Sequence, residues 1–140
     1  MFACVAAGGT EPAIWRQLRL PGRTTLDRLH DVLQVAFGWD DRHLHSFSKG
    51  ETRYRPPGFD LGGEDEQASR IGEVVSEIGE KLLYTYDFGD NRKHDIVVEN
   101  ICESDGVVHA VCLAGEHAAP PKGTFDQAAV NDTLSRIRLA

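Results

Sequence analysis

The run Tyr84-Thr85-Tyr86-Asp87-Phe88-Gly89-Asp90, with His94 four residues further on, concentrates more reactive side chains than any other stretch of this 140-residue chain. It reads as a β-hairpin whose turn carries two carboxylates and whose return strand opens with a histidine. His43 and His45 stand two apart on a predicted strand, so both imidazoles point to one face. Such a pair is half of a metal site, because imidazole suits zinc, iron or copper. If the two hairpins abut, Asp87, Asp90 and His94 add oxygen and nitrogen ligands. The chemistry would be a divalent metal with an open position, activating water for hydrolysis.

A plainer reading of the same residues ranks above it. His30 falls on the helical stripe of Leu26, Leu33 and Phe37, where a histidine is more often a hydrogen-bonded core residue than a ligand. Asp87 and Asp90 flank a tight turn, where aspartate commonly bonds backbone N–H groups. Trp39 and Tyr86, with Trp15, Tyr84, Phe47 and Phe88, can line a ligand or peptide groove, or fill a core. Ser46 and Ser48 lie near His45, but no Gly-x-Ser-x-Gly elbow is present. Phosphate-binding and dinucleotide-binding glycine patterns are absent.

The elements that position these groups follow from periodicity. Leu26, Leu29, Leu33 and Phe37, with Val32 and Ala36, predict a helix over 24–37. Thr24 or Thr25 serves as N-cap, Asp27 suits the first turn, and Gly38 is the stop. Residues 43–49 and 51–55 predict a hairpin turning at Gly50. Residues 60–69 read as an acidic mobile loop, and 71–78 as a short helix stopped at Gly79. Residues 81–87, 93–101 and 107–113 predict strands, with Ser104-Asp105-Gly106 joining the last two. Residues 125–139 predict a closing amphipathic helix with Asp126 near its start. Ile14–Leu20 is strand-like, and Phe2–Ala7 reads as a truncated edge strand.

The chain is 41% apolar and 26% charged, with a net charge of −7. That balance is ordinary for a soluble domain, and it disfavours direct binding to nucleic acid or anionic membranes. No apolar run approaches the ~18 residues of a membrane span. Cys4, Cys102 and Cys112 are odd in number and lack CxxC spacing, which predicts reduced thiols and a cytoplasmic protein. The fold expectation is α+β over residues 1–140 as one domain. It is a mixed, largely antiparallel sheet packed by an early and a C-terminal helix.

Several segments, taken in order, resemble the plasmid pRiA4b ORF-3-like family, whose members carry transposon-passenger or resolvase-like labels. They are Ile14-Trp15-Arg16, Leu26 with Leu29-His30, Phe37-Gly38-Trp39, His43-Leu44-His45-Ser46-Phe47, Tyr84 to Asp90 with His94, and Cys112-Leu113-Ala114-Gly115-Glu116. The resemblance implies a compact α+β domain and no defined substrate. Two departures stand out. Asn91-Arg92-Lys93 replaces the aromatic residue the family usually carries before the histidine matched by His94. Ala118-Ala119-Pro120-Pro121 replaces the family's acidic, cysteine- and glycine-containing segment.

The leading functional expectation is a small protein-interaction module, associated with mobile elements and acting on a basic protein partner. Its candidate binding residues are Trp39, His43, His45, Tyr86, Asp87, Asp90 and His94. The alternatives are a metal-dependent hydrolase using His43, His45, Asp87, Asp90 and His94, and a nucleic-acid-binding accessory protein.

Overall fold

The computed structural model describes residues 2–7, 14–37, 45–55, 64–86, 92–101, 109–116, 126–137 and 139. Within them the strands are β1 (Phe2–Ala7), β2 (Ile14–Arg19), β3 (His45–Lys49), β4 (Thr52–Arg55), β5 (Glu64–Asp65), β6 (Lys81–Tyr86), β7 (Arg92–Asn100) and β8 (Val111–Glu116). The helices are α1 (Leu26–Phe37), α2 (Ile71–Val74) and α3 (Gln127–Leu134). The strands form one sheet in the order β5-β4-β3-β6-β7-β1-β2-β8. Among the described strands, only β4 and β5 run parallel. The α+β expectation holds, with its early and late helices.

Helix α1 turns its apolar stripe to the sheet. Leu26, Leu29, Val32, Leu33, Ala36 and Phe37 are buried, together with the polar His30 and Gln34. Each large aliphatic or aromatic side chain contributes about 1.5–3 kcal/mol by leaving water. The N-terminal N–H groups are not served by a threonine hydroxyl as expected. Leu26 N donates to the carbonyls of Glu66 (3.1 Å) and Ser69 (2.9 Å). The Thr24 hydroxyl bonds Pro21 O at 2.6 Å, and that of Thr25 bonds the Asp27 carboxylate. At the far end, buried Arg16 donates from Nε to Ala36 O at 2.8 Å, meeting a carbonyl that the helix leaves unpaired. Its guanidinium also lies 5.2 Å from the centroid of the Phe37 ring.

Strand β1 is not an edge strand. It pairs antiparallel with β2 on one side and β7 on the other. Its neighbours come from distant parts of the chain, so its own composition carries no record of them. The predicted strand over 107–113 lies instead at Val111–Glu116. Gln17 pairs with Ala114 and Leu18 with Cys112, so Leu113 is the extra residue of a bulge. Helix α3 is shorter than predicted, and Asp126 caps it by accepting from Ala129 N at 3.1 Å. The turn at Gly50 has φ of 59°, a conformation natural to glycine.

One apolar cluster joins α1 to Ile71, Val74, Val75 and Leu134 and to the strand residues Leu18, Phe47, Leu82, Tyr84, Ile96 and Val98. The described helices therefore pack on a single face of the sheet. On the other face Trp15, Gln17, Leu83 and Val97 are half-buried, and Asp95 and Glu99 are exposed. Antiparallel sheets tolerate such one-sided cover.

Candidate functional site

A group of buried polar side chains lies between α1 and the middle of the sheet. Tyr84, on β6, stands at its centre. Its hydroxyl lies 2.7 Å from His30 Nδ1 and accepts from Gln34 Nε2 at 3.0 Å, both on α1. Spacing on the helix explains the pair, since positions four apart share a face. His45, at the start of β3, stacks on His30 with ring centroids 3.6 Å apart and planes 11° apart. His45 Nε2 lies 2.9 and 3.0 Å from the two carboxylate oxygens of Glu66. A carboxylate only accepts, so Nε2 carries the hydrogen and Nδ1 keeps its lone pair in the neutral ring. Glu66 thus has two tasks. Its carbonyl meets the start of α1, and its side chain orients His45.

His94, on β7, is a cross-strand partner of Tyr84, and its Nδ1 donates to Tyr84 O at 3.3 Å. The ring packs 5.3 Å from Phe37 and 5.6 Å from Tyr84. Tyr86 is buried and stacks 6.4 Å from Tyr84. His45, Tyr86 and His94 are therefore gathered around Tyr84. Trp39, His43, Asp87 and Asp90, the other predicted site residues, lie outside the described residues. The two hairpins do abut: β3 and β6 are neighbours, with His45 opposite Tyr86.

Glu66 is the member that sequence reasoning missed. Within residues 60–69, read as a mobile loop, Glu64–Asp65 forms β5, and Glu66 is buried against His45. Three consecutive acidic residues give no signal as to which turns inward. His30 matches the core reading, being buried and hydrogen-bonded. Among the described residues no three of His, Cys, Asp and Glu converge on one point. Cys112 is buried, and burial pushes its thiol up, with nearby Arg16 only partly offsetting this. That environment disfavours a thiolate nucleophile. No described helix is long and apolar enough to cross a membrane.

An open, mostly antiparallel sheet with its described helices on one face and a His–Glu–Tyr cluster beneath them defines a particular α+β class. The chain belongs to the plasmid pRiA4b ORF-3-like protein family, whose model matches residues 4–136. It is 32% identical over 115 residues to the uncharacterized protein y4hQ of Sinorhizobium fredii, covering 80% of this chain and 59% of that protein. The chain thus spans about three-fifths of that relative's length. It also resembles the crystal structure of a protein of unknown function from Methanosarcina mazei Go1. There the TM-score is 0.76 at 27% identity, covering 95% of this chain and 78% of the other.

Proposed function

We propose that the protein is a small cytoplasmic interaction module whose open sheet face receives a basic protein partner. The observation that supports this is the face opposite the helices. Half-buried Trp15, Leu83 and Val97 lie there on β2, β6 and β7, and Leu113 on β8 is 38% exposed. Exposed Asp95 stands in the cross-strand row between Leu83 and Trp15, and exposed Glu99 accepts from Gln17 Nε2 at 3.0 Å. A face of apolar groups interleaved with carboxylates suits a partner that brings both aliphatic and cationic side chains. The net charge of −7 would steer a cationic partner toward it. A partner that itself binds nucleic acid fits this charge, and a mobile-element setting fits the plasmid in the family's name.

The test is capture from lysate at low and moderate salt, with Val97→Arg as the control. A stoichiometric basic partner lost with Val97→Arg supports the reading. Recovery of no partner, or capture that is indifferent to the substitution, counts against it.

A second reading has its own observation. Because His45 sits opposite Tyr86, the first residue of β3 and the last residue of β6 are adjacent. A metal-dependent hydrolase using His43, His45, Asp87, Asp90 and His94 would need that adjacency. Near-stoichiometric metal in chelator-free protein, lost with Asp90→Asn, supports it. Metal-free protein whose melting ignores chelator removes it. His94→Ala is the poorer probe, because His94 is buried in the core.

A further inference from the structure

The Glu66–His45 pair has a property that neither reading uses. Nε2 of His45 is committed to Glu66, while Nδ1 makes no hydrogen bond to the described residues. The His45 side chain keeps 10% of its surface exposed, whereas that of Glu66 keeps 4%. The ring is packed by the His30 stack and by the Phe47 ring, whose centroid lies 6.2 Å away at a steep angle. In the neutral ring the Glu66 carboxylate fixes the tautomer, with the hydrogen on Nε2 and the lone pair on Nδ1. A base or nucleophile oriented by a third group is the recurring arrangement of covalent catalysis.

We infer that His45 is a nucleophile for acyl transfer, that Glu66 is its positioning residue, and that the substrate class is a small uncharged ester or thioester. The charge of the site decides the class. Glu66 and the net charge of −7 oppose anionic phosphoryl donors, while a neutral acyl group meets no such opposition. In the first step the Nδ1 lone pair forms a bond to the acyl carbon. The C–O or C–S bond breaks, and its electron pair leaves with the alkoxide or thiolate. The acylated ring is cationic, and the carboxylate at Nε2 offsets that charge. Water then adds to the acyl carbon and the N–C bond breaks, restoring the neutral ring. The carboxylic acid departs, and the proton shed by water neutralises the leaving group.

The experiment uses chelator-treated full-length protein and p-nitrophenyl acetate, so the outcome is independent of the metal reading. The expected result is protein-dependent release of p-nitrophenolate with the acetyl group trapped by acid quench on His45, out of six histidines. His45→Gln lowers release to background. Glu66→Gln lowers it about tenfold, the scale of one hydrogen bond to a charged group, while its thermal midpoint shows that it is folded. Label mapping in the unsubstituted protein decides the matter should Glu66→Gln fail to fold. Acetyl groups found on other residues instead of His45, or release unchanged in His45→Gln, would overturn the inference.

Discussion

The rings of His30 and His45 lie face to face at 3.6 Å, one from helix α1 and the other from strand β3. This contact ties the helix to the sheet through polar rings set among the aromatic side chains of Phe47, Tyr84 and Tyr86. It is held from both sides, because Tyr84 bonds His30 while Glu66 bonds His45. Buried polar groups of this kind stabilise a fold only when their bonds are made.

Tyr84→Phe tests that statement. The substitution keeps the ring and removes one hydroxyl, so the buried His30 and Gln34 each lose a bond. The expected cost is about 1–3 kcal/mol, read as a lower urea midpoint at unchanged slope. An unchanged midpoint would mean that the cluster contributes nothing to stability.

How much of this was legible beforehand depends on the range of the contact that decides it. The stripe Leu26, Leu29, Leu33 and Phe37 is local, and α1 forms where its period places it. The β6–β7 hairpin was likewise readable, because its register is set by its own two strands. Glu66 was not readable. Its inward turn depends on β5 pairing with β4 and on His45, twenty-one residues away. The same holds for β1, whose interior place is set by β7, far along the chain. Periodicity carries no term for such partners.

Gly72→Ala sets two effects against each other. In helix α2 alanine gains roughly 0.5–1 kcal/mol in propensity over glycine. Here, however, Gly72 N donates to Gly22 O at 2.7 Å, and an added Cβ would sit 2.7 Å from that same carbonyl oxygen. Backbone cannot step aside as a side-chain tip can. Overpacking of about 1–3 kcal/mol should prevail, so the variant melts below the parent. A higher melting point would show that the α2 segment is free to move off the Pro21–Thr24 turn.

Asn131→Ala opens an edge. The Asn131 amide accepts from Cys112 N at 2.7 Å and donates to Cys112 O at 3.0 Å, doing for β8 what a neighbouring strand would do. Gln127 reinforces it on Cys112 O and Leu113 O. Loss of the amide should cost about 1–3 kcal/mol and raise self-association, since unpaired edges template strand addition. Light scattering and melting of the variant at several concentrations test both parts. A variant that stayed monomeric at parental stability would assign the edge's protection to other groups.

Glu80 adds an acid dependence to the stability. Its carboxylate pairs with the Lys49 ammonium and accepts from Glu77 N at 2.9 Å and Ser76 N at 3.1 Å. The Lys49 hydrogen bond is the largest influence and holds the carboxyl below the ordinary glutamate range. Removal from water opposes it, and the two backbone donors assist it. A carboxyl more acidic in the folded state than in the unfolded one binds fewer protons when folded. Its stabilisation is therefore complete above the ordinary glutamate value of about 4.3, and it is lost as pH falls through the lower folded value. Glu80→Gln should be less stable than the parent near neutral pH, and the gap should close in acid below that value. Urea midpoints of both proteins across a pH series provide the check. Two curves that run parallel into acid would show that Glu80 titrates alike in both states, and that its contacts with Lys49 and the 76–77 turn add no pH-dependent stability.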